Sequence, residues 1–319
     1  MPTLWRASSV DGYRKNSEHL FFEFAKTIRE FKASKCVRMC SFDLKSLFTS
    51  VSLEETIQVS AKDLYHTDIP PLHLSEKSFL TLIRKVTTGV EFSFDNTIYR
   101  QIDGVAMGAP LGPVLANIFV GFHDESLNIS SRQDILLYHR YVDDTFALEN
   151  EEENTNNNSF LEELNRLHPA LEFTCEKEDD NKLPFMDVHV HKQAAADGVN
   201  INFETTVFRK ATFTGVYTHW NAFTAHRYKT NLIRCLVNRA VKICSLNLLG
   251  AEVQQLKDIF SRNGYPVKTV NRIVESMLKR REKMFGPQRC PVYLRLPWKG
   301  RRPASFVEYT VVKVVESCY

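Results

Sequence analysis

The chain has 319 residues, 43% hydrophobic and 25% charged, values that fit a globular protein with a sizeable core and exclude a disordered one. A membrane-spanning helix needs about 18 or more apolar residues in a row; the longest candidate, Leu111–Phe122, is too short, and MPTLWRASSVDGYRK lacks the apolar stretch of a secretory signal. The net charge of +3 hides an asymmetry: residues 1–200 carry 20 Lys and Arg against 31 Asp and Glu, and residues 201–319 carry 21 against 7. A basic C-terminal part suits a polyanionic partner, although a solvated basic surface accounts for it equally. The cysteine count is odd, 7, with no paired metal-ligand spacing, so an intracellular, reducing compartment is expected.

Helical periodicity predicts a helix over Glu18–Phe31, followed by a short buried strand, Cys36–Phe42. A second helix is expected over Leu53–Leu64, with Ser52 and Glu55 placed as a capping box, and Pro70-Pro71 breaks it. Ser75 caps a third helix that runs to Thr87 and stops near Gly89. EFSFDNTIYRQI (Glu91–Ile102) alternates about Asp95-Asn96 and reads as a hairpin. Pro113–Phe122 is a buried helix, Glu149–Ser159 a polar surface loop and Phe160–Leu167 a short helix. Leu183–His191 and Val199–Phe208 alternate at period two and are expected to pair across Ala196–Gly198. Ala225–Ser245 is a long amphipathic helix, and Leu256–Arg262, NGYP and Val267–Lys283 read as helix, tight turn, helix. The segment Cys290–Tyr319 supports no assignment, and no internal repeat is visible.

The chemistry is concentrated in YHRYVDDTFAL (Tyr138–Leu148), where Asp143 and Asp144 sit between two strand-like runs. Adjacent carboxylates at a hairpin tip repel unless a cation joins them. Mg²⁺ takes oxygen ligands and keeps water or phosphate in the remaining positions. A hairpin tip seldom suffices, so another carboxylate is expected, and Asp43 in SFDLKSLF is the candidate. For a lone Asp-Asp pair an ordinary surface turn is the simpler account.

SFDLKSLFTSV, QIDGVAMGAPLGPVLANIF and YVDDTF, in this order and spacing, resemble motifs A, B and C of reverse transcriptases. The wording is most similar to the Penelope-like retroelement family. LPFMDV resembles the family's motif E strand, and TTVFRKATFTGVYTHWNAFTAHRYKTNLIRCL the segment after it, so the resemblance spans roughly residues 16–285. It implies an α+β fold, a right-hand polymerase palm followed by a helical thumb. It implies RNA-directed DNA synthesis on two Mg²⁺ ions, or Mn²⁺ in their place, with an RNA template, a DNA primer and dNTP as partners. No membrane partner is implied, and the location is intracellular and nuclear.

Carried over by position, Asp43 and Asp143 hold the metals, Asp144 is the accessory acid, and the Leu44 carbonyl is a further ligand. Phe48 matches the aromatic gate that excludes a ribose 2′-hydroxyl; core packing is its plain alternative. Gly104, Met107, Gly108 and Pro110 fall in motif B, with Ala109 and Gly112 where serines are frequent. Gln101 is placed at the template and Tyr141 beside the substrate. Lys182, or else Lys177, is the lysine that protonates the leaving pyrophosphate.

His219, Trp220, His226, Arg227, Tyr228 and Lys229 interleave cations with aromatics, and with Arg234 they suit a nucleic-acid backbone or stacked bases. The NGYP turn also permits a helix-turn-helix whose second helix offers Val267, Lys268, Thr269, Asn271 and Arg272; two packed thumb helices are simpler. The expected layout is a remnant of fingers and palm (1–40), the palm (41–210), a basic helical thumb (211–285) and a basic tail (286–319). The basic fingers strands and the GIY-YIG endonuclease that flank such a core are not recognised, so the chain reads as a core cut at both ends. The chain as given is therefore expected to bind duplex but to extend a primer poorly or not at all. The rivals are a non-catalytic nucleic-acid-binding remnant and a helix-turn-helix DNA-binding protein.

Overall fold

The computed structural model describes residues 3–6, 17–34, 36–66, 74–152, 159–195 and 200–284. It mixes helix and sheet, as expected. Strands β1 (Thr3–Arg6), β3 (Val37–Leu44), β6 (Ile135–Tyr141), β7 (Asp144–Asn150) and β8 (Phe173–Lys177) form a five-stranded sheet in the order β1-β6-β7-β3-β8. Only the β1–β6 pair is parallel. A second sheet, β2-β11-β10-β9, is built from Lys32–Ser34, Asn200–Val207, Val188–Ala194 and Lys182–Phe185.

Both faces of the five-stranded sheet are buried, which is why β3, β6 and β7 read as near-continuous apolar runs rather than strict alternation. One face packs Cys40, Phe42 and Ala147 against Ile57, Leu115, Phe119 and Phe160. These come from helices α3 (Leu53–Tyr65), α5 (Gly112–Asp124) and α6 (Ser159–Leu164), and the short α2 (Leu47–Ser50) adds Leu47. The other face packs Met39, Leu137, Phe146 and Leu148 against Phe24, Ala25 and Ile28 of α1 (Ser17–Glu30) and against Phe185, Val188 and Val190 of the second sheet. A third apolar cluster joins α7 (His226–Ile243), α8 (Leu246–Arg262) and α9 (Val267–Met284) through Val237, Leu256, Phe260 and Val274.

Several expectations hold closely. Ser75 caps α4 (Glu76–Thr87), its side chain accepting from the Ser78 amide at 3.3 Å. Strands β4 (Glu91–Phe94) and β5 (Thr97–Arg100) pair across Asp95-Asn96, both with positive φ as a primed hairpin turn requires.

Others are corrected. The Ser52 side chain makes no cap hydrogen bond, so the capping box does not form. The stretch Leu183–His191 is two strands, because Met186 (φ 53°) and Asp187 turn the chain between β9 and β10. The alternation survives a two-residue turn, which hid it. Glu149 is not in a surface loop but lies in β7, 5% exposed. Helix α8 begins ten residues before Leu256, at Leu246, and β8 was not foreseen. The turn at Ala196–Gly198, most of Glu149–Ser159 and the tail from 285 onward lie outside the described residues. Among the described residues no helix is long and apolar enough to cross a membrane.

Candidate active site and nucleic-acid face

Asp43 lies at the exit of β3 and Asp144 at the entry of β7, and the two are paired in register. The next pair outward, at the strand end, shares a backbone bond, Leu44 amide to Asp143 carbonyl at 3.2 Å. Asp43 and Asp144 therefore form a non-hydrogen-bonded pair, in which Cα atoms approach to about 4.5 Å and side chains are close. Asp143 occupies the two-residue turn before Asp144, so all three carboxylates gather at one sheet end. Burial and the neighbouring Asp43 charge raise the Asp143 pKa. Burial, Asp143 and Asp43 raise Asp144 to about 6, against the ordinary carboxylate value. The cation that opposes this rise is Lys210.

The turn itself is strained. Val142 has φ 53°, a region that costs a β-branched residue of order 1–3 kcal/mol and persists only where the surroundings enforce it. Arg140 supplies that enforcement. Its guanidinium, 3% exposed, donates to the Val142 carbonyl at 3.1 Å, to Asn117 Oδ1 at 2.8 Å and to Asp124 Oδ2 at 2.5 Å. Tyr138 Oη adds a bond to the other Asp124 oxygen at 3.2 Å. The acidic turn is thus tied through β6 to the interior of α5.

The segment 101–112 lies against α2. The Val105 amide donates to the Phe48 carbonyl at 2.7 Å. Gly104 (φ 74°) has no room for a side chain, since a Cβ would stand 2.8 Å from the Phe48 carbonyl oxygen and 2.9 Å from Thr49 Cα. The Phe48 ring is half-buried and meets Gly112, whose Cβ would lie 3.7 Å from it. Gln101 bonds the Asp103 carbonyl at 2.9 Å. Met107, Gly108 and Pro110 are exposed, and Tyr141 pairs with Asp144 across the hairpin.

Lys182 is not brought to these carboxylates. It stands in the second sheet with its ammonium 3.1 Å from Asp180. Lys177 pairs in register with Cys40, three positions along β3 from Asp43. Lys210, just past β11, stands in the sequence only as a cation in FRKATF, and its charge reaches Asp144 in the fold. It also lines a cleft of about 350 Å³ with Met186, Asp187, Phe213, Arg239 and Glu252.

His226, Arg227 and Tyr228 at the N-terminal end of α7, and Arg234 in its middle, are exposed. Arg227 stacks over Tyr228 at 4.8 Å. Lys229 is different: it is 8% exposed, its ammonium donates to the Ala222 carbonyl at 2.8 Å and lies 5.8 Å from the Trp220 ring centre. It holds the 220–225 loop rather than facing outward. Trp220 and His219 are likewise engaged, the Trp220 amide donating to Asn263 O at 3.0 Å and His219 Nδ1 accepting from the Asn221 amide at 3.2 Å.

The family model described as "Animal helix-turn-helix domain" matches residues 216–275, the stretch that carries α7, α8 and the turn into α9. No curated protein matches the chain. Among solved structures, a telomerase from Candida albicans in complex with a fragment of telomeric RNA aligns at 12% identity and TM-score 0.47, over 87% of this chain and 46% of that one. The apo telomerase from Candida tropicalis aligns at 9% identity and TM-score 0.45, over 88% and 48%. The Sicinivirus 3Dpol RNA-dependent RNA polymerase aligns at 11% identity and TM-score 0.47, over 83% and 56%. The chain thus spans about half the length of these solved chains.

Proposed function

We propose that the chain is the palm and thumb of a template-directed nucleic-acid polymerase, a reverse transcriptase of the Penelope-like kind, located in the nucleus. The observation that carries this reading is the register pairing of Asp43 with Asp144 beside Asp143. An all-oxygen, mutually repelling donor set of this kind suits Mg²⁺ or Mn²⁺ and not a soft metal. Asp43 and Asp143 would hold two ions, with Asp144 as the accessory acid. Such ions, held by these carboxylates, would supply activation of a primer 3′-hydroxyl and neutralisation of charge on a departing pyrophosphate.

The chain's own residues do the rest. Arg140 fixes the acidic turn against α5, and Gly104 lets the 101–112 segment close on α2. Phe48 then stands where an aromatic side chain would exclude a 2′-hydroxyl, in favour of dNTP over rNTP. Lys210 sets a positive charge beside Asp144, where phosphate oxygens of a substrate would gather. The exposed Arg227, Tyr228 and Arg234 would hold an RNA–DNA duplex on α7.

The test is primer extension by the purified full chain on an RNA template with Mg²⁺ and with Mn²⁺. Incorporation of dNTP, however slow, that Asp143→Asn abolishes with duplex binding retained would bear out the catalytic reading. Duplex binding without any incorporation would overturn the catalytic reading. It would favour a non-catalytic nucleic-acid-binding role, which the helix-turn-helix match over 216–275 independently suggests.

A further inference from the structure

A second cluster of ligand-type side chains lies outside the carboxylate site. Glu55 comes from the first turn of α3, His123 from the last turn of α5, and His168 from the turn that precedes β8. His123 Nε2 stands 3.4 Å from one oxygen of Glu55, and His168 Nε2 stands 3.4 Å from the other. The imidazole centres are 4.8 Å apart, and one donor atom from each of the three residues lies within 4.8 Å of the others. Phe119 packs edge-on against both rings, at 4.9 and 5.1 Å, and so fixes their orientation.

These separations are wrong for hydrogen bonds. A charge-assisted imidazole–carboxylate bond closes to about 2.7–2.9 Å. Two donors that share a tetrahedral ion, each about 2.0–2.1 Å from it, stand about 3.3–3.4 Å apart, a spacing each histidine has to its own oxygen of the Glu55 carboxylate. His123 Nε2 is also buried with no hydrogen-bond partner, in a side chain only 12% exposed. A buried imidazole nitrogen and a carboxylate oxygen at this separation leave room for one cation between them. Glu55 is free to serve because the Ser52 cap it might have completed does not form, while its neighbour Glu54 is taken by Arg84.

We propose that Glu55, His123 and His168 form a Zn²⁺ site of the His₂Glu type, with its remaining position open to solvent, that pins α3, α5 and the 168–171 turn together. The donor set sorts this site from the aspartates: imidazole suits Zn²⁺, whereas an all-carboxylate cluster suits Mg²⁺. Binding has one structural consequence. The Ala170 amide donates to His168 Nδ1 at 3.1 Å, but coordination through Nε2 requires Nδ1 to carry the proton. The surface turn must therefore release that amide to water, which lowers the affinity without closing the site. The proposal does not depend on the polymerase reading.

The test is titration of the chelator-treated full chain with Zn²⁺ and, for spectroscopy, Co²⁺. One equivalent of Zn²⁺ should raise the melting temperature, and Co²⁺ should give the intense visible absorption of a four-coordinate ion. Both signals should survive in an Asp143→Asn/Asp144→Asn chain and disappear in Glu55→Gln and in His123→Gln. Each variant's metal-free melting curve checks its fold. Glu55, 35% exposed in its side chain, provides the deciding variant should His123→Gln fail to fold. Absence of both signals in the wild-type chain overturns the proposal. So does their persistence in Glu55→Gln, or their loss in the aspartate variant alone, which would place the ion at the carboxylates.

Discussion

Asp43 and Asp144 face each other as direct cross-strand partners of β3 and β7, although three helices, a hairpin, a further helix, two short 3₁₀ turns and strand β6 separate them along the chain. Like charges directly opposite on a sheet are destabilising, and Asp143 adds a third. The arrangement stores an electrostatic cost that a cation removes.

That cost has a pH signature. Asp144 is raised to about 6 by burial and its two acidic neighbours, so between about pH 4 and pH 6 the native chain keeps a proton that the unfolded chain has lost. Stability should therefore fall as pH rises through this window and remain lowered above it. Asp144→Asn removes the penalty. In the absence of divalent ions it should stabilise the chain at pH 7 by about 1–3 kcal/mol, with no gain below about pH 4. Denaturant melts at the two pH values check this. Millimolar Mg²⁺ should stabilise the wild-type chain at pH 7 and the variant less.

Arg140 and Asp124 form a buried pair under the acidic turn. Arg140→Met leaves the Asp124 carboxylate without its cation and should cost about 3–5 kcal/mol. Adding Asp124→Asn to that chain should return a large part of the loss. A double-mutant cycle by chemical denaturation measures it, and strict additivity would show that the pair is not coupled.

Two glycines with positive φ should behave differently. Gly108 (φ 87°) has no atom within 4 Å of a built Cβ, whereas Gly104 (φ 74°) would drive a Cβ into the Phe48 and Thr49 backbone. Gly108→Ala should cost only the left-handed backbone term, about 1–2 kcal/mol. Gly104→Ala should cost clearly more, because α2 must move to admit the methyl. Thermal melts of the two variants decide the order.

The basic face divides in the same way. Arg227→Ala with Arg234→Ala should flatten the salt dependence of duplex binding, by roughly one unit of slope per lost phosphate contact, and leave stability nearly unchanged. Lys229→Ala should lower the melting temperature, since its ammonium holds Ala222, and leave the slope as it was. Filter binding over a salt series, paired with melting curves, separates the two effects.

The local elements were legible in the sequence because they rest on local physics. Ser75 announced a helix start, Asp95-Asn96 the turn of a hairpin, and the acidic pair between β-branched runs a hairpin tip. Asp43 was recognisable as the third acid only through its wording and its place after a buried strand. The sequence missed β8 and read β9 and β10 as one strand. Period-two alternation does not say where a chain reverses when the turn is as short as Met186-Asp187.

The roles of single side chains were decided by the tertiary structure. Lys229 stood with Arg227 as a nucleic-acid cation until burial and its bond to the Ala222 carbonyl turned it inward, and Lys182 went with β9 to the second sheet. The charge of Lys210 acts on Asp144, and Glu55 meets His123 and His168, because the fold brings together elements far apart in sequence. Propensity, capping and turn chemistry act over a few residues and can be read in order along the chain. Electrostatic partners act through space, and only the packed sheet and helices bring them within range.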